Sequence, residues 1–315
     1  MDDLRRRLDE EGFLVLENVF PESAIDAVKA EYAALLETLC TGWIAEGRLA
    51  AETLDLDFEG RLRAAYVAGL DWFQPMDISL PGGVIEAETP MHFGPAIFAL
   101  LRHPAILDVV ERLIGPEITS NPIQHVRIKP PAHLLKADEV RPHVTYTDWH
   151  QDRGVTHDEA DGTEMVTVWI AISDATAENG CLQVAPRTHL EALKTHCPAG
   201  IQLSIPESAL DRARAVPLPV KSGGVVIFHP GTAHASLVNR TEGFRWSFDV
   251  RYNVTGQPTG RSHFPSFVAR SRRAPETELQ SADEWRGMWE EARARLARAP
   301  HIPIHRWSAD APACA

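Results

Sequence analysis

The sequence predicts a mainly β fold flanked by helices, and two observations carry that prediction. After Pro116, short apolar runs alternate with turn residues, at 118–129, 144–150, 164–173, 181–185, 216–220, 225–228, 234–238 and 245–252. Many short strands punctuated by Gly, Pro, Asn and Asp suggest a sandwich or barrel rather than alternating βαβ units. Before and after this region, apolar residues instead recur at the three-to-four spacing of core-facing helices.

The flanking elements follow in order. Leu4 and Leu8 mark a first helix, and 13–16 reads as a short strand. Pro21-Glu22-Ser23 starts a second helix, whose stripe is Ala24, Ile25, Val28, Tyr32, Leu35 and Leu36. Residues 60–70 are helical in period, and 96–101 with 103–114 form a helix pair broken near Pro104. None of these is assigned chemistry. At the other end Trp285, Trp289, Ala292 and Leu296 share one helical face. With no repeat and no linker, residues 1–315 form one domain: a mostly helical scaffold (1–115), a β core (116–253) and a C-terminal extension with a helix (254–315).

Composition narrows the function. Thirty-one Lys+Arg against 44 Asp+Glu give a net charge of −13, and no basic run is interleaved with aromatics. Nucleic acid and anionic membrane are disfavoured as partners, and a small-molecule substrate is expected. The apolar stretch 13–16 is far below the roughly 20 residues that span a bilayer, so a cytoplasmic protein is expected. Cys40, Cys181, Cys197 and Cys314 show no CxxC spacing, and reduced thiols are the expectation. Nothing in the sequence sets the oligomeric state.

Chemistry enters at Trp149-His150-Gln151-Asp152. On a strand, residues two apart share a face, so His150 and Asp152 can grip one ion together. Alone the tripeptide is weak evidence in a chain with 14 histidines. A glycine turn, a buried apolar strand at 225–228 and a Pro-Gly turn then deliver His234. Two histidines and one carboxylate on one face of a metal leave the opposite face open, as non-haem Fe(II) requires. Arg245, between Phe244 and Trp246, points away from both rings and could hold a carboxylate bidentately. Arg251 shares its parity, with a cavity position and a surface ion pair both open, and its substitution is expected to affect 2-oxoglutarate binding much less than that of Arg245. His143, His157 and His189 read as loop histidines, and His229, tempting as a ligand five residues before His234, precedes Pro230 at a strand end.

These residues, together with 12–28, 128–131, 166–186 and 223–236, resemble the phytanoyl-CoA dioxygenase family of Fe(II)- and 2-oxoglutarate-dependent oxygenases over roughly 12–253. The resemblance implies a double-stranded β-helix, or jelly roll, across 116–253. It implies His150, Asp152 and His234 as catalytic iron ligands and Arg245 as partner of the distal 2-oxoglutarate carboxylate. It further implies that Ser236 assists Arg245, that Trp169 lies against the cosubstrate, and that His125 lines its site; Trp169 also fits a plain core position. Residues 186–189 read Pro-Arg-Thr-His where the family has Pro-Gly-Ser-His, a change confined to a loop.

The implied cofactors are Fe(II), 2-oxoglutarate and O2, and the implied reaction is hydroxylation of an unactivated C–H bond of a small metabolite or acyl substrate. Related halogenases carry a small residue in place of Asp152, so the carboxylate points to hydroxylation, or to desaturation or ring formation. A cupin-like metalloenzyme without 2-oxoglutarate and a non-catalytic iron or 2-oxoglutarate sensor are the alternatives. Loops 134–143, 153–163 and 256–267 are expected to shape the substrate pocket.

Overall fold

A computed structural model describes residues 3–135, 147–199, 202–308, 310 and 312–314. The chain opens with α1 (Asp3–Glu11), β1 (Phe13–Leu16), α2 (Glu22–Ala45), α3 (Phe58–Val67), the single turn α4 (Phe73–Met76), α5 (Pro95–Leu101) and α6 (Pro104–Ile114). Then come β2 (Glu117–Lys129), the single turn α7 (Asp152–Val155), β3 (Met165–Ala171), β4 (Leu182–Val184), β5 (Cys197–Ala199) and β6 (Gln202–Ser204). The remainder is β7 (Val216–Leu218), β8 (Val225–Phe228), β9 (His234–Ser236), β10 (Arg245–Val254), β11 (Phe267–Ser271) and α8 (Ala282–Leu296).

Six antiparallel strands in the order β1-β8-β3-β10-β2-β11 face a smaller sheet, β7-β4-β9, and β5 pairs with β6 in a hairpin. Successive strands β3, β4, β8, β9 and β10 alternate between the two facing sheets, the connectivity of a jelly roll whose sheets are not closed into a barrel. A small apolar cluster that includes Trp169, Val226 and Phe228 from one sheet and Leu182, Val184 and Leu218 from the other joins them.

β10 shows how the sequence builds this architecture. Its period-two alternation sends Trp246, Phe248, Val250 and Tyr252 into the main apolar core shared with the helices. Tyr32 of α2 meets Trp246 and Phe248 at ring distances of 5.2 and 5.6 Å, and the Tyr252 hydroxyl donates to Leu101 O at 2.8 Å. The alternate residues Arg245, Ser247, Asp249, Arg251 and Asn253 point between the sheets and are also buried. A strand buried on both faces, one of them polar, needs partners for every charge.

At the far end, Ser281 caps α8 by accepting from Glu284 N, while Asp283 and Glu284 in the first turn and Arg293 and Arg295 in the last suit the helix dipole. Its buried stripe is Trp285, Trp289, Ala292 and Leu296, as the spacing predicts, and Phe93 stacks on Trp289 at 4.8 Å. Truncating Trp289 to Ala would cost about 3 to 5 kcal/mol.

Several expectations need correction. His150 lies in an isolated bridge to His234 rather than a regular strand, and Asp152 begins α7; most of the expected strand 144–150 falls outside the described residues. β1 and β11 extend the large sheet beyond 116–253, and the β5–β6 hairpin was not expected from the sequence. β11 is only five residues long, with an apolar face at every second position, which gives a weak periodic signal. The four thiols are not all reduced: Cys197 and Cys314 form a disulfide with Cα atoms 5.4 Å apart, while Cys40 and Cys181 are free and buried. The C-terminal tail folds back across 117 residues to make it, a proximity that spacing alone does not reveal. Among the described residues no helix is long and apolar enough to cross a membrane.

Candidate active site

His150 and His234 are locked opposite each other by two backbone bonds, His150 N to His234 O at 3.0 Å and His234 N to His150 O at 2.9 Å. Their Nδ1 atoms face backbone carbonyls, Asp148 O at 2.8 Å and Thr232 O at 3.0 Å. A carbonyl only accepts, so each Nδ1 donates and Nε2 is the ring atom left to face a metal. Both Nε2 atoms turn toward Asp152 Oδ1, at 3.6 and 3.9 Å. One ligand atom from each of the three residues lies within 4.8 Å of the others, and all three residues are buried. Burial first, then the neighbouring His150, push His234 down to about 4, which keeps it neutral. Burial opposes ionisation of Asp152, but Arg251 and the two histidines outweigh it and hold the carboxyl well below its usual range. Two imidazole Nε2 atoms and one carboxylate make the donor set of an open divalent-metal site, so the residues present fit iron.

The groups around this trio orient it. Arg251 Nη2 donates to Asp152 Oδ1 at 2.5 Å and Arg251 Nη1 to Ile123 O at 2.9 Å, while the Thr167 hydroxyl donates to Asp152 Oδ2. Of the two positions left open for Arg251, the structure shows the inner one: it faces the cavity and grips the Asp152 carboxylate. Gln151 points the other way, its side chain bonding Gly231 O and Lys194 N, and its backbone N donates to His196 Nε2 at 2.8 Å. His196 sits against Gly154, where a Cβ would come within 2.2 Å of the imidazole, so only glycine fits there.

Arg245 lies on the same inner face, 3% exposed. Its Nη1 donates to Ser247 Oγ at 2.6 Å, its Nε has no partner, and its guanidinium stands 5.1 Å from the Trp169 ring centroid. Burial, then the Arg127 cation, disfavour its charge. Beside it in register, Lys129 donates to Ser236 Oγ and Leu237 O, both at 2.6 Å. Ser236 thus serves Lys129 and Thr147 N, and the hydroxyl on Arg245 is that of Ser247. Burial first, then Arg245 and Arg127, hold Lys129 well below the usual lysine range. The two buried basic groups, bonded only to neutral acceptors, form a cradle that a carboxylate would complete, which fits 2-oxoglutarate. His125 lies lower on β2, tied through Nδ1 to Asp77 Oδ2 at 2.8 Å.

A cavity of about 560 Å³ opens beside His150 and Arg251 and includes His125. Phe73, Asp77 and Leu80 from the helical scaffold line it, as do Pro198 and Leu203 of the hairpin and Ile304 and His305 of the tail. Sequence reasoning gave the scaffold no chemistry and missed the tail. Of the expected pocket loops, Val155 and Arg261 contribute, and most of 134–143 lies outside the described residues. His229 is no part of the trio: its Nδ1 accepts from Gly231 N at 3.0 Å. His157 and His189 bond backbone carbonyls, Pro303 O and Asp9 O; His143 is outside the described residues.

Comparison with known proteins agrees with this geometry. Human peroxisomal phytanoyl-CoA dioxygenase is 27% identical over 255 residues, 79% of this chain and 67% of that protein. The non-heme monooxygenase ThoJ superposes with a TM-score of 0.60 at 20% identity, covering 94% of this chain and 97% of its own. The epimerase SnoN, solved with Fe3+, alpha ketoglutarate and nogalamycin RO, gives 0.51 at 20% identity over 82% of this chain and 86% of its own. The model of the phytanoyl-CoA dioxygenase (PhyH) family matches residues 8–247, and the chain belongs to that family of Fe(II)- and 2-oxoglutarate-dependent oxygenases.

Proposed function

We propose that the enzyme hydroxylates an unactivated C–H bond of a small metabolite or acyl substrate, converting 2-oxoglutarate and O2 to succinate and CO2. The observation that carries this reading is the pairing of a buried two-histidine, one-carboxylate trio with Arg245, a buried cation that lacks an acidic partner among the described residues. Iron, 2-oxoglutarate and O2 together supply an oxidant able to take hydrogen from such a bond. His150, Asp152 and His234 would hold the metal from one side, and Arg251 and Thr167 fix the Asp152 carboxylate for that task. Arg245 would take the distal carboxylate, Lys129 adding a second charge and Trp169 a flat wall. His125 would border the space between cosubstrate and substrate, with Asp77 fixing its ring. The cavity beside His150 would place the substrate on the open side of the metal.

ThoJ is called a monooxygenase and SnoN an epimerase, so one fold hosts several outcomes. Asp152 favours hydroxylation over halogenation because it fills the position a halide would take. A substrate panel read by succinate formation, with product masses under labelled O2, tests the reading. A gain of one oxygen supports it; loss of two hydrogens or an unchanged mass would replace it with desaturation or epimerisation. His150→Ala, Asp152→Ala and His234→Ala should each abolish turnover in a folded protein, and an active His234→Ala would overturn the ligand assignment. The cytoplasmic placement belongs to this proposal too. Since disulfides are rare in reducing compartments, fractionation together with thiol trapping of Cys197 and Cys314 tests it.

A further inference from the structure

The charges between the sheets are matched by side chains except at Arg245 and Lys129, assigned above to the cosubstrate, and at one further residue near the metal side. Arg251 is matched by Asp152 at 2.5 Å, Arg127 by Asp249 at 3.4 Å and His125 by Asp77 at 2.8 Å. Arg245 and Lys129 await the distal carboxylate of 2-oxoglutarate. Arg261 remains. It lines the cavity, is 6% exposed, and has no acidic partner among the described residues. Its Nη2 donates to Val155 O at 3.1 Å, and its Nε has no partner. Acids of the same region are committed elsewhere: Asp161 takes Arg306 at 2.7 Å, and Asp152 takes Arg251.

The uncompensated charge is felt by its neighbours. Burial, then Arg261, push His263 down to about 4 and lower His305. Holding a guanidinium in a dry site without a counter-charge is costly, and a bound anion would offset that cost. The cosubstrate's distal carboxylate is already assigned to Arg245, which is not among the residues that line this cavity. It is Arg251, and not Arg245, that acts electrostatically on Arg261.

We propose that Arg261 anchors a carboxylate of the primary substrate, so that the enzyme acts on a carboxylic acid with an apolar body. The body would lie along Phe73, Leu80, Leu203 and Ile304, which face the same cavity. A planar fork with donors still open suits a carboxylate, and the cavity volume of about 560 Å³ suits a ligand of drug-like size. This inference rests on the reading of the cavity as the substrate chamber of a 2-oxoglutarate oxygenase.

The test uses the full chain loaded with Fe(II) and 2-oxoglutarate under anaerobic conditions. Alkanoic and aryl acids are titrated beside their primary amides and the matching alkyl and aryl phosphates, read by perturbation of the visible metal-to-2-oxoglutarate band. Calorimetry on the metal-free protein reads the same preference independently. Acids should bind at least about 30-fold more tightly than amides, the loss expected when a buried charge pair is truncated. Arg261→Gln should remove that preference with 2-oxoglutarate affinity unchanged, and Arg261→Lys should keep part of it. Equal binding of acids and amides, no acid binding at millimolar concentration, or acid preference surviving in Arg261→Gln would each overturn the proposal. So would tighter binding of the phosphates, or loss of 2-oxoglutarate affinity in Arg261→Gln, which would assign Arg261 to the cosubstrate. Failure of the wild-type protein to form the band at all would instead sink the oxygenase reading, while calorimetry still decides the acid preference.

Discussion

Replacing Arg245 by Gln removes the guanidinium from a dry cradle and leaves Lys129 in place. Arg245 is 3% exposed, bonded to the neutral Ser247 hydroxyl and set against Trp169, so a carboxylate entering the cradle meets little competing water. A buried carboxylate deprived of such a partner costs about 2 to 5 kcal/mol. Lys129 stands opposite in register and binds two neutral oxygens; burial, then Arg245 and Arg127, depress its charge, so removing Arg245 relieves one of those causes, Lys129 can answer the carboxylate, and the lower part of that range applies. About 2 to 3 kcal/mol corresponds to about 30- to 160-fold weaker 2-oxoglutarate binding. Titration of 2-oxoglutarate into the anaerobic Fe(II) protein, followed by its visible absorption band, measures this directly. Iron affinity should change little, because Arg245 does not touch His150, Asp152 or His234. Arg245→Lys should fall between wild type and Gln, since it restores the charge without the fork. Unchanged 2-oxoglutarate affinity in Arg245→Gln would refute the reasoning and leave the buried guanidinium without a ligand.

Arg251→Gln should weaken iron binding about 10- to 100-fold, because it frees one oxygen of the Asp152 carboxylate from its orienting partner; competition against a chelator measures it, and an unchanged affinity would leave orientation to Thr167 alone. His229 is held near 4 by burial first, and its Nδ1 needs its lone pair to accept from Gly231 N. The unfolded chain binds this proton near pH 6.5, so stability present at neutral pH is lost as pH falls from about 6.5 to about 4, by about 3 kcal/mol in all. Denaturation curves across that range should be flatter for His229→Gln. Cys314→Ser should loosen the tail, which Arg306 and Trp307 still hold through Asp161 and Gly154 O. Limited proteolysis should then cut after residue 300 faster than in wild type, with the thermal midpoint of the core little changed; equal cutting rates would show that the disulfide is not what retains the tail.

How much of this was legible in the sequence depended on whether a feature is local. His150, Asp152 and His234 could be found because a two-residue spacing and a glycine-to-Pro-Gly turn are local signals, yet the reason offered for the first pair was only half right. Their side chains converge because Asp152 begins a helical turn just after a bridged residue, and not through strand alternation. Parity put Arg251 on the face of Arg245 but left a surface ion pair equally open, because its partner Asp152 lies 99 residues away and no periodicity reveals it. The same holds for Phe73, Asp77 and Leu80: helical spacing identifies buried scaffold residues without showing that the chain between two helices turns toward the sheet. Arg261, in an irregular segment, and the Cys197–Cys314 pair, which joins the short strand β5 to the tail 117 residues on, likewise depend on tertiary contacts that spacing does not show.

One signal was present and underused. In β10, Arg245, Ser247, Asp249, Arg251 and Asn253 alternate with Trp246, Phe248, Val250 and Tyr252, a pattern that reads at first as a half-solvated strand. Solvation does not fit its position, because β10 pairs on both edges, with β2 and β3, and packs its apolar face on the helices. The opposite face must then lie inside, where each charge requires a counter-charge or a ligand. Asp249 answers for Arg127, and Asp152 for Arg251; Arg245 is answered by no side chain. A charged stripe on a central strand is thus evidence for small anions inside the fold, and its unmatched members mark where those anions sit.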